Sequence, residues 1–261
     1  MSWWGKMAGG TFGFMLGGPL GAMLGTVVGH NLDQGFIQLA TEQNNGGWGN
    51  QERIQSAFFT ATFSVMGHLS KADGHISAQE IKLASDFMVE MTLNEEQRHV
   101  AQELFIQGKS PEFDLHIVLL QLRQECGRRQ NLIRMFVEIQ VQLAYADGVL
   151  HPEEQRILNK ICDDLGIPPN ELHRMHGAFK PNPVTQTSEP LDNLNQAYIL
   201  LGASPTDDMA TIKRKYRRLI SQHHPDKLVA KGLPEEMMEM AHQKTQEIRK
   251  AYETIRKVHQ H

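Results

Sequence analysis

The chain has 261 residues, with 26 Lys and Arg against 30 Asp and Glu, for a formal net charge of −4. Its 40% apolar and 21% charged residues exclude wholesale disorder, and its two cysteines, Cys126 and Cys162, exclude a disulfide scaffold or a Cys-based zinc site. The net charge speaks against a generic nucleic-acid binder, but residues 191–261 carry twelve Lys and Arg against nine Asp and Glu, so a basic excess gathers at one end.

At the N-terminal end, no charged residue occurs from Met7 to Gly29. A helix of that length spans about 35 Å, enough to cross a bilayer. Trp3 and Trp4 stand just outside the run, where indoles favour the headgroup layer. A glycine recurs every four residues from Gly5 to Gly29, which on a helix makes a smooth stripe that lets two backbones approach. A transmembrane helix is therefore expected over 7–30, after a short tail 1–6 and before a linker 31–51. Gly9, Gly13, Gly17, Gly21 and Gly25 are the candidate homodimer interface. No A-x-A site follows the run, which weighs against a secretory signal, and so many glycines weigh against a soluble helix. Lys6 alone would place the N-terminus in the cytoplasm by the positive-inside rule.

The middle of the chain, 52–177, contains a duplication. The stretch Leu69 to Glu80 corresponds to Leu143 to Glu154, at an offset of 74 residues, and both copies contain Ala-Asp-Gly. Phe59, Phe63, Met66 and Leu69 precede the first turn at helical spacing, and Ile133, Phe136, Val137, Ile139 and Leu143 precede the second. Gly74 and Gly148 suit a left-handed residue that ends a helix. Ser77 with Glu80 reads as a capping box, and Pro152 with Glu154 opens the matching helix. Further helices are expected from about Glu95, after Ser110-Pro111 and after Pro168-Pro169. This duplication resembles the TerB-like domain named for tellurite-resistance proteins. The resemblance implies a divalent-metal site at Asp73, Glu80, Asp147 and Glu154. The alternating acids of a calcium loop are absent, so helix capping is the competing account of these carboxylates. His173 and His176 lack the partners of a zinc site, and no nucleophile elbow or phosphate-cradling glycine loop occurs, so nothing reads as an enzyme active site.

Residues 178–191, with Pro181, Pro183 and Pro190, read as an extended linker before a last module at 192–261. Leu194, Ala197, Tyr198 and Leu201 form a short amphipathic helix ending at Gly202. Ile212, Tyr216, Leu219 and Ile220 form one face of a second helix, whose remainder carries Lys213, Arg214, Lys215, Arg217 and Arg218. Pro225 predicts a loop at His224-Pro225-Asp226, and a long helix should begin near Pro234. The paired helices then present this tripeptide at their tip. Tyr198-Ile-Leu-Leu-Gly202, Ile212 to Leu219, His224-Pro225-Asp226-Lys227 and Ile248-Arg-Lys-Ala-Tyr252 together resemble a complete J domain. The resemblance implies stimulation of ATP hydrolysis by a DnaK-type chaperone. His224, Pro225 and Asp226 would form the stimulating loop, Lys213, Arg214, Arg217 and Arg218 the docking charges, and Lys227 a further contact to the partner. Nucleic-acid binding by the basic helix is the rival reading, disfavoured by the small +3 excess and the lack of an aromatic platform on that face.

Taken together, the chain is expected to be all-α: a membrane helix, a TerB-like domain and a C-terminal J-domain hairpin. That combination resembles the DjlA type of DnaJ-like protein. The resemblance implies a co-chaperone without cofactors in the bacterial inner membrane, single-pass, with a periplasmic N-terminus and the bulk of the chain in the cytoplasm. It also implies homodimerisation through the span and a link to envelope-stress or capsule signalling. A metal- or signal-sensing TerB-like module, with the J domain as its output, is the alternative.

Overall fold

The computed structural model describes residues 18–31, 50–71, 78–91, 93–145, 148–179 and 190–259, and within them every regular element is helical, as expected. The first part comprises α1 (Gly18–Asn31), α2 (Asn50–Leu69), α3 (Ala78–Glu90), α4 (Glu95–Gly108), α5 (Leu115–Cys126), α6 (Gln130–Ala144), α7 (Pro152–Leu165) and α8 (Pro169–Phe179). The second comprises α9 (Pro190–Leu201), α10 (Met209–His223), α11 (Pro225–Val229) and α12 (Met238–Val258), the last preceded by a 3-10 turn at Glu235–Met237.

α2 is the axle of the middle domain: 15 of its 20 residues are buried, and α1, α4, α5 and α6 all pack on it. A helix buried all round must satisfy its polar side chains internally. Ser56, Thr62 and Ser64 do so by donating their hydroxyls to the carbonyls of Glu52, Phe58 and Thr60, at 3.0, 2.7 and 2.8 Å. Phe58 meets Phe136 of α6 edge to face at 6.2 Å, and Gln140 of α6 donates to the Thr62 carbonyl. The crossing with α4 is closer still. A Cβ on Gly67 would lie 1.9 Å from the Phe105 carbonyl oxygen, and one on Gly108 would lie 1.8 Å from that of Ser64. Only paired glycines permit this backbone-on-backbone contact.

Local signals set the helix ends. Asn94 and Gln97 form a reciprocal capping box at the start of α4, and Asp114 accepts from the Ile117 amide at the start of α5. Pro152 opens α7, the buried Glu154 accepts from the His151 amide at 2.9 Å, and left-handed Gly166 (φ +71°) closes it. Gly148 has the positive φ expected of it (+88°), whereas Gly74 and Ser77 lie outside the described residues.

Of the spanning helix expected over 7–30, residues 7–17 lie outside the described residues. The described part of that stretch is α1, of 14 residues and about 21 Å, and no described helix is long and apolar enough to cross a membrane. Leu20, Leu24 and Val27 recur at four- and three-residue steps and are buried against α2, α4 and α5. The Leu20 amide donates to Gln121 Oε1 at 2.8 Å, and Gln107 donates to Thr26 Oγ1 at 2.7 Å. Of the glycine stripe, Gly21 is buried and Gly25 half-buried, while Gly9, Gly13 and Gly17 lie outside the described residues.

In the C-terminal module, α9, α10 and α12 share a small core of Tyr198, Leu201, Ile212, Leu219, Ile248 and Ile255. Tyr216 and Tyr252 stack at 4.3 Å, 16° from parallel. The long final helix starts at Met238 rather than near Pro234, because the 3-10 turn intervenes.

The glycine crossing yields a direct expectation. Gly108→Ala places a methyl group inside the α2 backbone, so we expect a loss of about 3 kcal/mol, at the upper end of overpacking costs, read as a fall in the midpoint of chemical unfolding. Gly127→Ala, whose Cβ meets nothing within 4 Å, tests backbone strain alone and should cost less.

Candidate functional site

The candidate site is the corner between α10 and α11, together with the exposed side of α10. α10 begins on a rigid turn. Asp207 accepts from the Ser204 amide at 2.9 Å and from Lys215 at 2.6 Å, and Asp208 accepts from the Thr211 amide at 3.0 Å. Lys215 holds the Asp207 carboxyl below the usual carboxylate range, and the hydrogen bonds from Thr211 do the same for Asp208. Lys215 is thereby committed to Asp207. Four of the five cations, Lys213, Arg214, Arg217 and Arg218, stay exposed on one side while Ile212 and Leu219 are buried on the other.

At its C-terminal end α10 runs into His223, which is buried, and its carbonyl accepts from Thr245 of α12 at 3.1 Å. His224 follows in extended geometry (φ −62°, ψ +123°), and its carbonyl accepts from the Leu228 amide at 3.0 Å. Pro225 is buried at the first position of α11, so the tripeptide is the start of a five-residue helix and not the loop expected from sequence. The reason is that proline, which cannot sit in a helix interior, suits the first position. His224 Nδ1 lies 4.0 Å from Asp226 Oδ2, with side chains 40% and 85% exposed. Lys227 donates to Ser221 Oγ at 2.7 Å, which ties α11 to α10. The corner thus presents a half-exposed imidazole and an exposed carboxylate beside four cations.

Sequence reasoning missed the underside of this corner. Leu228, Leu233, Met237 and Met240 are buried in the same cluster as the middle-domain core, not in the core of their own module. Gln51 and Gln55 of α2 donate to the carbonyls of Val229 and Leu233, at 3.2 and 3.4 Å. His223 Nε2 lies 3.6 Å from Glu138 of α6. The available signal was the apolar stretch after Lys227, too greasy for a free loop.

The acidic set behaves differently. Asp73 and Asp147 lie outside the described residues, as does the side chain of Glu80. Glu154 caps α7. Among the described residues no three His, Cys, Asp or Glu side chains converge as a metal site would require.

The helical hairpin with this corner is that of a J-domain co-chaperone. Residues 196–260 match the DnaJ domain, residues 59–177 the tellurite resistance protein TerB, and residues 1–45 the co-chaperone DjlA transmembrane domain. The chain is 42% identical to the co-chaperone protein DjlA of Photorhabdus laumondii over 98% of both chains, and 43% identical to that of Escherichia coli K12 over the same shares. It is 42% identical to that of Coxiella burnetii over 99% of this chain and 98% of the relative. No solved structure matches. The chain belongs to the DjlA family of co-chaperones, acts with a DnaK-type chaperone and is membrane-anchored. The anchor follows from the family match over 1–45 and not from any described helix.

Burial lowers the pKa of His223, opposed by Glu138 and reinforced by Lys244, Arg174 and Arg134. The unfolded chain therefore takes up a proton that the folded chain resists. Above about pH 6.5 both states are neutral here and nothing changes; as pH falls below that value, the folded state loses stability. His68, also lowered chiefly by burial, adds to the same trend. We expect the melting temperature to drop between pH 7.5 and pH 5, and His223→Gln to flatten the drop without abolishing it.

Proposed function

We propose that the α10 cations dock the chain on DnaK and that the adjoining corner triggers its ATP hydrolysis. Lys213, Arg214, Arg217 and Arg218 steer association with an acidic surface. His224, Asp226 and Lys227 then meet the partner, while buried Pro225 fixes their geometry. The observation that carries this reading is the continuity of four exposed cations with an exposed His-Asp corner on one rigid frame. A corner whose backbone is already held loses little entropy on binding, so more of each contact is available to bias the partner toward hydrolysis. The chain itself carries no catalysis in this scheme.

The orientation follows from the same chemistry. An ATP-dependent partner requires the J domain on the cytoplasmic side, with a single crossing at the N-terminal end. The glycine spacing from Gly9 to Gly25 supports self-association there, which would offer two J domains at raised effective concentration.

Single-turnover ATP hydrolysis by DnaK is the direct test. His224→Gln should lower maximal stimulation by about tenfold or more, the equivalent of one charged-group hydrogen bond lost from the transition state. Arg217→Ala with Arg218→Ala should instead raise the half-saturating concentration about tenfold, and wild-type affinity should weaken with added salt while the double variant responds less. Retained stimulation by His224→Gln rejects the trigger. For the topology, protease should cut the J domain from inside-out membrane vesicles and spare it in intact spheroplasts.

A further inference from the structure

Beyond its own core, the J domain is held by a second body, the middle domain. α10, α11 and the segment leading to α12 rest on α2 and α6. Leu228 and Leu233, at 0% exposure, sit with the middle-domain core, as do Met237, Met240 and Ala241. Gly232, at φ +106°, lies so close to Ile54 that a Cβ there would come within 2.6 Å of its Cγ2. Gln51 and Gln55 bind two carbonyls of the same segment, and Glu138 faces the buried His223, the residue immediately before the tripeptide.

What this docking covers decides what it does. A clamp that blocked the partner would cover the α10 cations or Asp226. Those side chains are exposed, and Asp226 is 85% so. The covered side is the apolar underside, which undocking would deliver to water. The docked arrangement is therefore the one in which the corner is both accessible and rigid.

We infer that Gln51, Gln55 and Glu138 of the middle domain are positioning residues for the His224-Pro225-Asp226 corner, so that the middle domain sets the strength of DnaK stimulation without touching DnaK. This inference rests on the proposed trigger. Gln51 and Gln55 hold backbone carbonyls after the tripeptide and Glu138 faces the His223 ring before it, and through these anchors they set the directions of His224 and Asp226. Nothing in the set alters the docking charges.

The test uses the full-length chain in single-turnover DnaK ATPase titrations. Gln51→Ala, Gln55→Ala and Glu138→Ala combined should lower maximal stimulation on the order of fivefold while moving the half-saturating concentration less than twofold. Misfolding would move both, and a circular dichroism melt checks for it. A second arm replaces the Gln51 contact with a covalent one. Gln51→Cys with Val229→Cys, bridged by a short bismaleimide, locks the docked state. Burial pushes the native Cys126 and Cys162 thiols up to about 12, so they do not compete for the reagent. The bridged chain should stimulate as well as wild type. If wild type itself fails to stimulate DnaK, trigger and positioning fall together. If wild type is active and the triple variant matches or exceeds it, or bridging silences the chain, positioning alone is overturned.

Discussion

Two backbones touch at the centre of this molecule, and most of the architecture follows from that contact. Gly67 and Gly108 let α2 and α4 approach until no side chain fits between them. Such an approach brings the flanking aromatics, Phe59, Phe63 and Phe105, into a single packed layer and leaves α2 surrounded. A surrounded helix has no solvent face on which to place polar residues. Three of its hydroxyls, those of Ser56, Thr62 and Ser64, turn back on its own carbonyls, while Thr60 Oγ1 is buried without a partner among the described residues. The glycines and the hydroxyls are two consequences of one constraint. Dispersion between the closely approached helices stabilises the crossing, and the self-satisfied hydroxyls remove the penalty of burying them.

The first turns of α2 carry the same axle beyond the middle domain. Gln51, Ile54 and Gln55 lie where α2 leaves the crossing, and they form the floor on which the segment after α11 rests. A second junction joins the bodies at α8 and α9, which pack together; a Cβ on Gly202 would meet Arg174 at 3.2 Å. Two separated junctions resist rotation where a single one would allow it. The charge arrangement agrees with this. Cations and the Asp226 carboxylate face outward, and the neutral, apolar side faces in, where an unpaired charge would be costly. The nearest exception is His223, buried beside Glu138, and burial keeps that imidazole inclined toward its neutral form.

Some of this was legible in the amino-acid order and some was not, for identifiable reasons. The three- and four-residue spacing of Phe59, Phe63, Met66 and Leu69, and the matching pattern before Tyr145, point to buried helices because apolar period is a local property. Pro152 and Glu154 announce a helix start for the same reason. The extent to which α2 is buried was hidden, since Ser56, Thr62 and Ser64 read as solvent-facing until their intrahelical bonds are seen. The glycine run at the N-terminus suggests a span by length and charge; within its described part, Leu20, Leu24 and Val27 are buried, and a stripe of glycines does not reveal which apolar side chains find a partner. At the candidate site, the cationic helix and the tripeptide stand out by residue type. The pairing of Lys215 with Asp207, eight residues back, and the contacts from Gln51, Gln55 and Glu138, up to 178 residues away, depend on tertiary proximity that no short pattern encodes.

Anchoring, docking and triggering are then different uses of the same quantity, conformational freedom removed before the partner arrives. A J domain joined only by a chain would sample many orientations, and each productive encounter would bear the cost of choosing one. Attachment to a membrane confines the chain to that surface. The apolar seat of Leu228 and Leu233 removes rotation of the module, and the hydrogen bond from Thr245 to the His223 carbonyl removes the torsions next to the tripeptide. These restraints act on successively smaller groups of atoms. The last of them leaves only the His224 and Asp226 side chains to settle, and side-chain torsions are far cheaper to fix than a domain orientation. Restraint at the smallest scale is useful only if the larger scales are already held, and in the proposed scheme the middle domain supplies that restraint to the tripeptide.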